Sequence, residues 1–235
     1  MNPTFRRILW PGVMTLAMLV VLIGLGTWQI YRLHWKERIL AQIAQAEASP
    51  PVPFAIGASP FTKVTVTGQL LDDEAVQYGA EVRDTPSGPQ LGSHLIVPLI
   101  RDGSPTILVD RGWVPQTRRA PIDQPEGTVT IVGYVHPPAK PGWFSATDNV
   151  ATRHFFTLDP EAISAALGLS HVAPLVLIAL APQPVTHAAG AHWPDPATHL
   201  PRPPNNHLSY VITWYGLAIA LAVIFIAWAR KVPKA

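Results

Sequence analysis

The sequence predicts a membrane protein of the α+β class. Two transmembrane helices are expected to flank an extracytoplasmic antiparallel β-sheet or partial barrel that carries one short helix. Two apolar stretches without charged residues, 8–31 and 208–229, are each long enough to cross about 30 Å of hydrocarbon. β-branched segments separated by turn residues lie between them. A composition of 48% hydrophobic and 14% charged residues is also apolar for a soluble chain of 235 residues.

The charge distribution predicts which side of the membrane each region occupies. All 15 acidic residues and 12 of the 17 basic residues lie between Arg32 and His207, whereas residues 1–7 and 230–235 carry only basic charges. By the positive-inside rule, both ends are expected in the cytoplasm and the middle region outside it. The basic residues of the middle region count for less, because long domains translocate largely regardless of charge.

The first apolar stretch, 8–31, is interpreted as a retained transmembrane helix. A cleaved signal peptide is the alternative, but its apolar core normally has about 7–15 residues and ends at a small-residue cleavage site. This stretch is longer and runs into Trp28 and Trp35, which suit an interfacial aromatic belt. Helix-forming residues predict that the helix continues through 32–48, until the proline-rich run 49–53 ends it.

The middle region is predicted to be rich in β-structure. β-branched residues that alternate with polar ones predict a series of strands, separated by turn signals such as the one at 102–105. Near the end of this region, Asp159 suits the N-cap and Pro160 the first turn of a short helix that ends at Gly168. The predicted strands are 63–71, 74–82, 93–100, 106–114, 128–135, 153–158 and 172–180.

The Pro- and His-rich segment 182–207 is predicted to be an extended linker that returns the chain to the membrane, because it has no apolar period. Its histidines are spaced too irregularly among prolines to indicate a metal site. The predicted order is a cytoplasmic N-terminus (1–7), a transmembrane helix (8–31), a β-rich outer domain (32–181), the linker (182–207), a second transmembrane helix (208–229) and a cytoplasmic C-terminus (230–235).

Five segments occur in an ordered set that is quite specific as a whole. They are LGTWQIYRLHWKERIL (25–40), VTVTGQL (64–70), VDRGWVP (109–115), PGWFSATDN (141–149) and NNHLSYVITWYGLA (205–218). Together they resemble the surfeit locus protein 1 family of cytochrome c oxidase assembly factors. The resemblance implies two helices in the cell inner membrane around a periplasmic domain. It also implies insertion of haem, expected to be haem a, into the core subunit of a haem–copper oxidase, with haem a synthase and membrane lipids as further partners.

His207 is the main candidate for a site residue. At helical spacing it shares one face with Tyr210 and Trp214, at the predicted membrane boundary. An imidazole can hold haem iron, and aromatic side chains suit the porphyrin. The resemblance implies that His207 contacts haem, and hence its iron. Without the resemblance, an interfacial histidine that faces water is the simpler interpretation.

Arg32 and Trp28 complete the candidate site. Arg32 is expected to pair with haem propionates, anionic lipid headgroups or nearby carboxylates such as Glu37. Trp28 is either a wall of the haem site or a belt anchor. His34 is a candidate second axial ligand, for which a solvated histidine is the simpler interpretation.

Two further motifs are assigned mainly structural roles. The run Asp110–Trp113 is predicted to end a strand with a tight turn, in which Gly112 supplies backbone freedom and Arg111 an ion pair. The stretch 137–149 is predicted to be a long ordered loop with a turn at Pro141–Gly142. For Asp148–Asn149, a partner contact and plain loop chemistry stay open.

The leading functional hypothesis is therefore a haem-handling assembly factor that is not an enzyme. A scaffold that stabilises an oxidase assembly intermediate without touching haem is the alternative, and a membrane-anchored hydrolase is a weaker one, because the sequence lacks a nucleophile motif. The absence of cysteine excludes disulfides and thiolate metal sites. Basic residues are not interleaved with aromatic ones, so nucleic acid is not expected as a partner.

Overall fold

A computed structural model of the chain describes residues 3–85, 88–118, 120–181, 193–200, 202 and 204–232, with side chains from Arg7 onward. The chain forms two compact units. One comprises residues 1–42 and 202–235, and the other comprises residues 43–201. The helices are α1 (Pro3–Ala48), α2 (Pro160–Leu167) and α3 (His207–Lys231), together with a 3₁₀ turn at Asp72–Glu74. The strands are β1 (Val52–Pro53), β2 (Lys63–Leu70), β3 (Val76–Thr85), β4 (Gly88–Arg101), β5 (Ser104–Pro115), β6 (Thr128–His136), β7 (His154–Phe155) and β8 (Val172–Ala179).

The helices α1 and α3 each contain a stretch that is long and apolar enough to cross a membrane. Only 6% of either apolar stretch is buried in the protein, which distinguishes these helices from the core helices of a soluble fold. The 46 residues of α1 extend about 69 Å at about 1.5 Å per residue, which is more than twice the roughly 30 Å thickness of the hydrocarbon. The helix is continuous past residue 31, as the sequence predicted, so it is long enough to project well beyond a bilayer.

The sheet of the second unit closes on itself. Its strand order is β1-β2-β6-β8-β5-β4-β3-β7, and β2 also pairs with β4 through Gln69–Ile100 and Leu70–Leu99. The five strands β2, β6, β8, β5 and β4 therefore form a ring, which confirms the predicted partial barrel. Most neighbours are antiparallel, but β1–β2, β3–β7 and β5–β8 are parallel, which local patterns did not show.

Alternating apolar residues of the ring fill the interior of the barrel. Side chains such as Val64, Val97, Leu99, Ile107 and Leu177 have no exposed surface. Burial of this apolar area is the main term that stabilises the domain, at about 25 cal/mol per Å².

The helix α2 has the ends that the sequence predicted. The carboxylate of Asp159 accepts a hydrogen bond from the backbone N–H of Glu161 at 3.1 Å, and Pro160 opens the first turn. Gly168 ends the helix in the left-handed conformation, with a φ of +66°. Ile163 anchors the helix because it is fully buried.

The structure corrects part of the predicted linker 182–207, of which it describes 193–200, 202 and 204–207. Residues 193–200 pack on the sheet instead of crossing open space. Asp195 and Trp113 exchange two backbone hydrogen bonds of 2.8 Å, and Leu200 is only 1% exposed. Backbone hydrogen bonds of this kind leave no periodic signal in a sequence, so composition alone suggested a linker. Linker residues 182–192, 201 and 203, like residues 1–2 and 233–235 of the predicted cytoplasmic ends, lie outside the described residues.

Candidate functional site

The candidate site lies at His207, the residue with which α3 begins. The hydroxyl of Ser209 donates a hydrogen bond of 2.7 Å to the backbone oxygen of Asn206 and so secures this end of the helix. The half-buried His207 ring places its Nδ1 atom 2.6 Å from the Oε1 atom of Gln29 on α1. A carboxamide oxygen only accepts hydrogen bonds, so Nδ1 is the donor in this contact, and the nitrogen left to bind a ligand is Nε2.

Gln29 is the partner that sequence reasoning missed. Its side chain is buried, with 8% exposure, inside an otherwise apolar stretch of α1. A buried amide is unfavourable unless it is hydrogen-bonded, and polar residues within apolar spans are rare and often functional. A lone glutamine in the uncharged stretch 8–31 was therefore a signal, although nothing local connects it to a histidine 178 residues away.

The same pair of helices is held together by a second polar contact. The hydroxyl of Thr27 donates to the backbone oxygen of Ile23 at 2.9 Å, so it accepts from the hydroxyl of Tyr215, 3.0 Å away. Next to this contact, a Cβ atom on Gly26 would lie 3.1 Å from the ring of Tyr215. The glycine therefore allows the close approach that is typical of packed transmembrane helices.

The aromatic residues of the predicted site differ in burial. Trp214 is half-buried, and its indole Nε1 atom is buried without a hydrogen-bond partner among the described residues. Tyr210 and Trp28 are 52% and 55% exposed. Within the part of the chain that the structure describes, no hydrogen bond or ring contact joins Tyr210, Trp214 or Trp28 to His207. The structure thus pairs His207 with Gln29, and leaves the aromatic surfaces of Tyr210 and Trp28 available to a ligand or lipid.

Arg32 and His34, which follow the first apolar stretch, are also exposed. The guanidinium of Arg32 lies 4.0 Å from the centre of the Trp35 ring, a cation–π contact, and forms no salt bridge with a described residue. His34 is exposed and lines an open depression of α1 together with Tyr31 and Glu37. Every residue that lines this depression belongs to one helix.

The sheet domain contains a separate polar cluster on β3, β4 and β5. The His94 ring lies between two carboxylates, with Nδ1 2.8 Å from Asp110 and Nε2 3.2 Å from Glu81. Arg83 holds Glu81 through two contacts of 3.0 and 3.1 Å. Burial alone would lower the pKa of His94, but the hydrogen bond and charge of Asp110, with the hydrogen bond of Glu81, outweigh it and raise the pKa.

The sequence predicted that the run Asp110–Trp113 ends a strand with a tight turn, and the structure corrects this: β5 continues to Pro115, and the run forms a bulge within the strand, opposite His94–Ile96. The buried Asp110 carboxylate also accepts the Gly112 N–H at 2.9 Å, and Arg111 forms an ion pair of 2.7 Å with Asp72. Gly112 has a φ of +126°, a conformation that favours glycine. Across the described ranges, three or more His, Asp or Glu residues are nowhere grouped so that they would hold a metal ion.

Comparisons with known proteins agree over almost the whole chain. The model of the SURF1 family matches residues 16–219. The chain is 30% identical to a SURF1-like protein of Rickettsia felis, over 94% of this chain and 97% of that protein. It is 28% identical to the human Surfeit locus protein 1 over 90% of this chain and 74% of the relative, and 27% identical to the mouse protein of that name over 89% and 73%. The matched region contains Gln29 and His207.

Proposed function

The chain belongs to the SURF1 family, and we propose that it is a membrane-anchored assembly factor of a haem–copper terminal oxidase. In this proposal it binds haem, specifically haem a, which it receives from haem a synthase and helps to insert into the oxidase core subunit. Haem is the cargo of the protein, and no catalytic turnover is involved. The observation that carries the proposal is the hydrogen bond between His207 and Gln29.

This hydrogen bond supports ligation because it defines the state of the imidazole. Histidines that bind metals almost always donate their other ring N–H to a carboxylate, carbonyl or water, which orients the ring and raises its basicity. Gln29 accepts such a bond from Nδ1, so Nε2 of His207 would be the atom that holds haem iron. Half-burial of His207 restricts the ring and still leaves part of it accessible.

Other described groups fit a porphyrin with polar edges. The indole N–H of Trp214 is a donor without a partner among the described residues. A hydrogen bond to a ligand would remove the energetic cost of this unpaired buried donor. Tyr210 and Trp28 offer exposed aromatic surface at the ends of the two apolar stretches. The exposed guanidinium of Arg32 suits an anionic propionate.

The proposed location is the cell inner membrane, with the sheet domain in the periplasm and both ends in the cytoplasm. The two apolar helices and the basic residues at both ends of the chain support this orientation. Alkaline phosphatase is active only outside the cytoplasm, so a fusion within 182–204 should be active and a fusion after residue 235 inactive. The reverse pattern would contradict the orientation.

The haem-binding part of the proposal is tested by co-expression with haem a synthesis, followed by purification. The haem-to-protein ratio and the absorption spectrum are measured for each variant. His207→Ala should lose bound haem, whereas His34→Ala, which removes an exposed histidine of α1, should match the parent protein. Gln29→Leu should weaken haem binding by about 10- to 100-fold and shift the spectrum, as expected for loss of a group that orients a ligand. Gln29→Glu keeps an acceptor oxygen and should restore much of the binding.

The variants must also be compared for abundance and for melting temperature in detergent. If His207→Ala keeps the parent ratio and spectrum at normal abundance, His207 does not ligate haem, and the alternative of a protein-binding scaffold takes its place. If Gln29→Leu changes neither property, the hydrogen bond does not tune the ligand.

A further inference from the structure

An ion pair joins the docked segment 193–200 to the polar cluster of the sheet domain. The guanidinium of Arg83 lies 3.3 Å from the Asp195 carboxylate and also holds the Glu81 carboxylate through contacts of 3.0 and 3.1 Å. Backbone hydrogen bonds of 2.8 Å between Asp195 and Trp113 secure the same part of the segment. Arg83 is therefore shared between the polar cluster and the docked segment.

The Nε2 atom of His94 has two neighbours that it cannot bind at the same time. It lies 3.2 Å from the Oε2 atom of Glu81 and 3.3 Å from the Nη2 atom of Arg83. The Nδ1 atom donates to the Asp110 carboxylate at 2.8 Å, so a further proton on the ring must be on Nε2. With this proton, Nε2 donates to Glu81. Without it, Nε2 has a lone pair, which repels the Glu81 carboxylate and accepts from Arg83 instead.

The proton on Nε2 also sets the balance of charge in the cluster. Among the described residues, three carboxylates face two cations when His94 is protonated and only Arg83 when it is neutral. Two of these carboxylates, Glu81 and Asp110, belong to the strands β3 and β5 and are fixed in the sheet. The third is Asp195 on the docked segment, whose side chain is 35% exposed, so it is able to move into water. Loss of the proton therefore weakens the docking of the segment.

The other titratable groups near this cluster keep one charge state around neutral pH. Burial and, to a lesser extent, the charge of Asp110 raise the pKa of Tyr78 and Tyr134, so both phenols stay uncharged. Burial lowers the pKa of His136, so its ring stays neutral. Burial also acts to lower the pKa of His94, but the two carboxylate partners of this ring outweigh it and raise the pKa above the ordinary value of about 6.5. His94 is therefore the group of this set whose charge depends on pH near neutrality.

We propose that the proton on Nε2 of His94 controls the docking of the segment 193–200 on the barrel. While the ring is protonated, Glu81 binds Nε2 and Arg83 holds Asp195, so the segment stays docked. As pH rises through the titration of the ring, Arg83 is drawn to Nε2 and the segment opens more often. Proton binding and docking are linked, so each favours the other. This control lies within the sheet domain, is independent of haem binding and, in the periplasmic location proposed above, makes docking follow the pH of that compartment.

Hydrogen exchange of backbone amides in the full chain, purified in detergent, measures this opening, because a hydrogen-bonded amide exchanges only when its bond opens. The reporters are the N–H groups of Asp195 and Trp113, each of which donates to the backbone oxygen of the other residue. The N–H of Val135, which donates to the backbone oxygen of Thr62, is the control amide for opening of the barrel itself. Each rate is divided by that of an unstructured peptide at the same pH, from about pH 6 to about pH 9, which gives a protection factor.

The protection factors of the Asp195 and Trp113 amides should fall by about 2- to 5-fold across this range, the size expected for partly exposed charges, and that of Val135 should not. His94→Gln should remove the pH dependence, because glutamine does not titrate. Asp195→Asn should flatten it, because the amide keeps the backbone hydrogen bonds and leaves no carboxylate to expel. The matched control Asp84→Asn removes an exposed carboxylate of β3 and should keep the parent profile.

Protection factors of both reporters that stay constant with pH, or that fall equally in His94→Gln, would overturn the inference. An equal fall at Val135 would also overturn it, since the whole barrel would then loosen with pH. If His94→Gln does not fold, the comparison of Asp195→Asn with Asp84→Asn still decides. A titration of the His94 ring by nuclear magnetic resonance gives the reciprocal measurement: its pKa should be lower in Asp195→Asn than in the parent, and an unchanged pKa would show that proton binding and docking are not linked.

Discussion

Gly112→Ala tests how the segment 193–200 is held on the barrel. Gly112 has a φ of +126°, and a Cβ atom there would collide with the backbone oxygen of Asp195. Asp195 is the residue whose N–H and oxygen form the two hydrogen bonds of 2.8 Å with Trp113. Alanine therefore has two consequences: it strains its own backbone, and it pushes the docked segment off the strand.

The expected magnitude follows from these two consequences. Backbone strain of this kind costs about 1–3 kcal/mol. The loss of two backbone hydrogen bonds adds about 1 kcal/mol each. The total of about 3–5 kcal/mol is a large part of the usual 5–15 kcal/mol of a folded domain, and for a chain of this length it corresponds to a fall in melting temperature of roughly 10 °C.

The matched control is Gly103→Ala, in the turn between β4 and β5. Gly103 also has a positive φ, +64°, but a Cβ atom there would meet no other atom within 4 Å. This variant should cost only the left-handed strain, about 1–2 kcal/mol. Thermal unfolding of the purified chain is followed by near-ultraviolet circular dichroism, to which the buried Trp113 contributes. If Gly112→Ala lowers the melting temperature no more than Gly103→Ala does, the collision with the docked segment is not real.

Three further predictions concern charges and helix packing. Because the pKa of His94 is raised on folding, its stabilisation should be complete below about pH 6.5 and be lost as pH rises through the folded pKa. Melting temperatures of the parent and His94→Gln should therefore differ most in acid and converge in alkali; a constant difference would contradict this. Gly26→Leu should clash with the tyrosine ring of α3 and lower the melting temperature in detergent, whereas Gly24→Leu, with no atom within 4 Å, should not; equal effects would contradict the packing. Asp72→Asn should cost about 2–3 kcal/mol in chemical denaturation by weakening the largely buried pair with Arg111, and a loss below 1 kcal/mol would refute that estimate.

Much of the local structure could be predicted from the sequence because its causes are local. Apolar stretches without charge identify α1 and α3. The N-cap Asp159, the first-turn Pro160 and the C-cap Gly168 locate both ends of α2 to within one residue. Most strand positions follow from alternation, which reflects one buried and one exposed face, although the strand predicted at 153–158 is only His154–Phe155. The ordered motifs also indicated the family, which the family model then confirmed over residues 16–219.

The pairings between distant segments were decided by the tertiary structure alone. The parallel neighbours β5 and β8, the closure of β2 on β4 and the docking of Asp195 on Trp113 all use backbone groups that every residue possesses. No side-chain pattern marks which of these groups will meet, so the sequence indicated strands and a partial barrel but not the order of the strands.

The candidate site shows the same division most clearly. The sequence by itself indicated His207, because an imidazole at the end of an apolar stretch is conspicuous in composition and in the family motif. It did not indicate Gln29, because the residue that pairs with His207 depends on how the faces of α1 and α3 pack against each other. Only the folded pair of helices brings the buried amide to 2.6 Å from the ring and thereby determines which nitrogen donates to it. A hydrogen bond depends on positions in space, and positions 178 residues apart in the chain are set by packing rather than by local sequence.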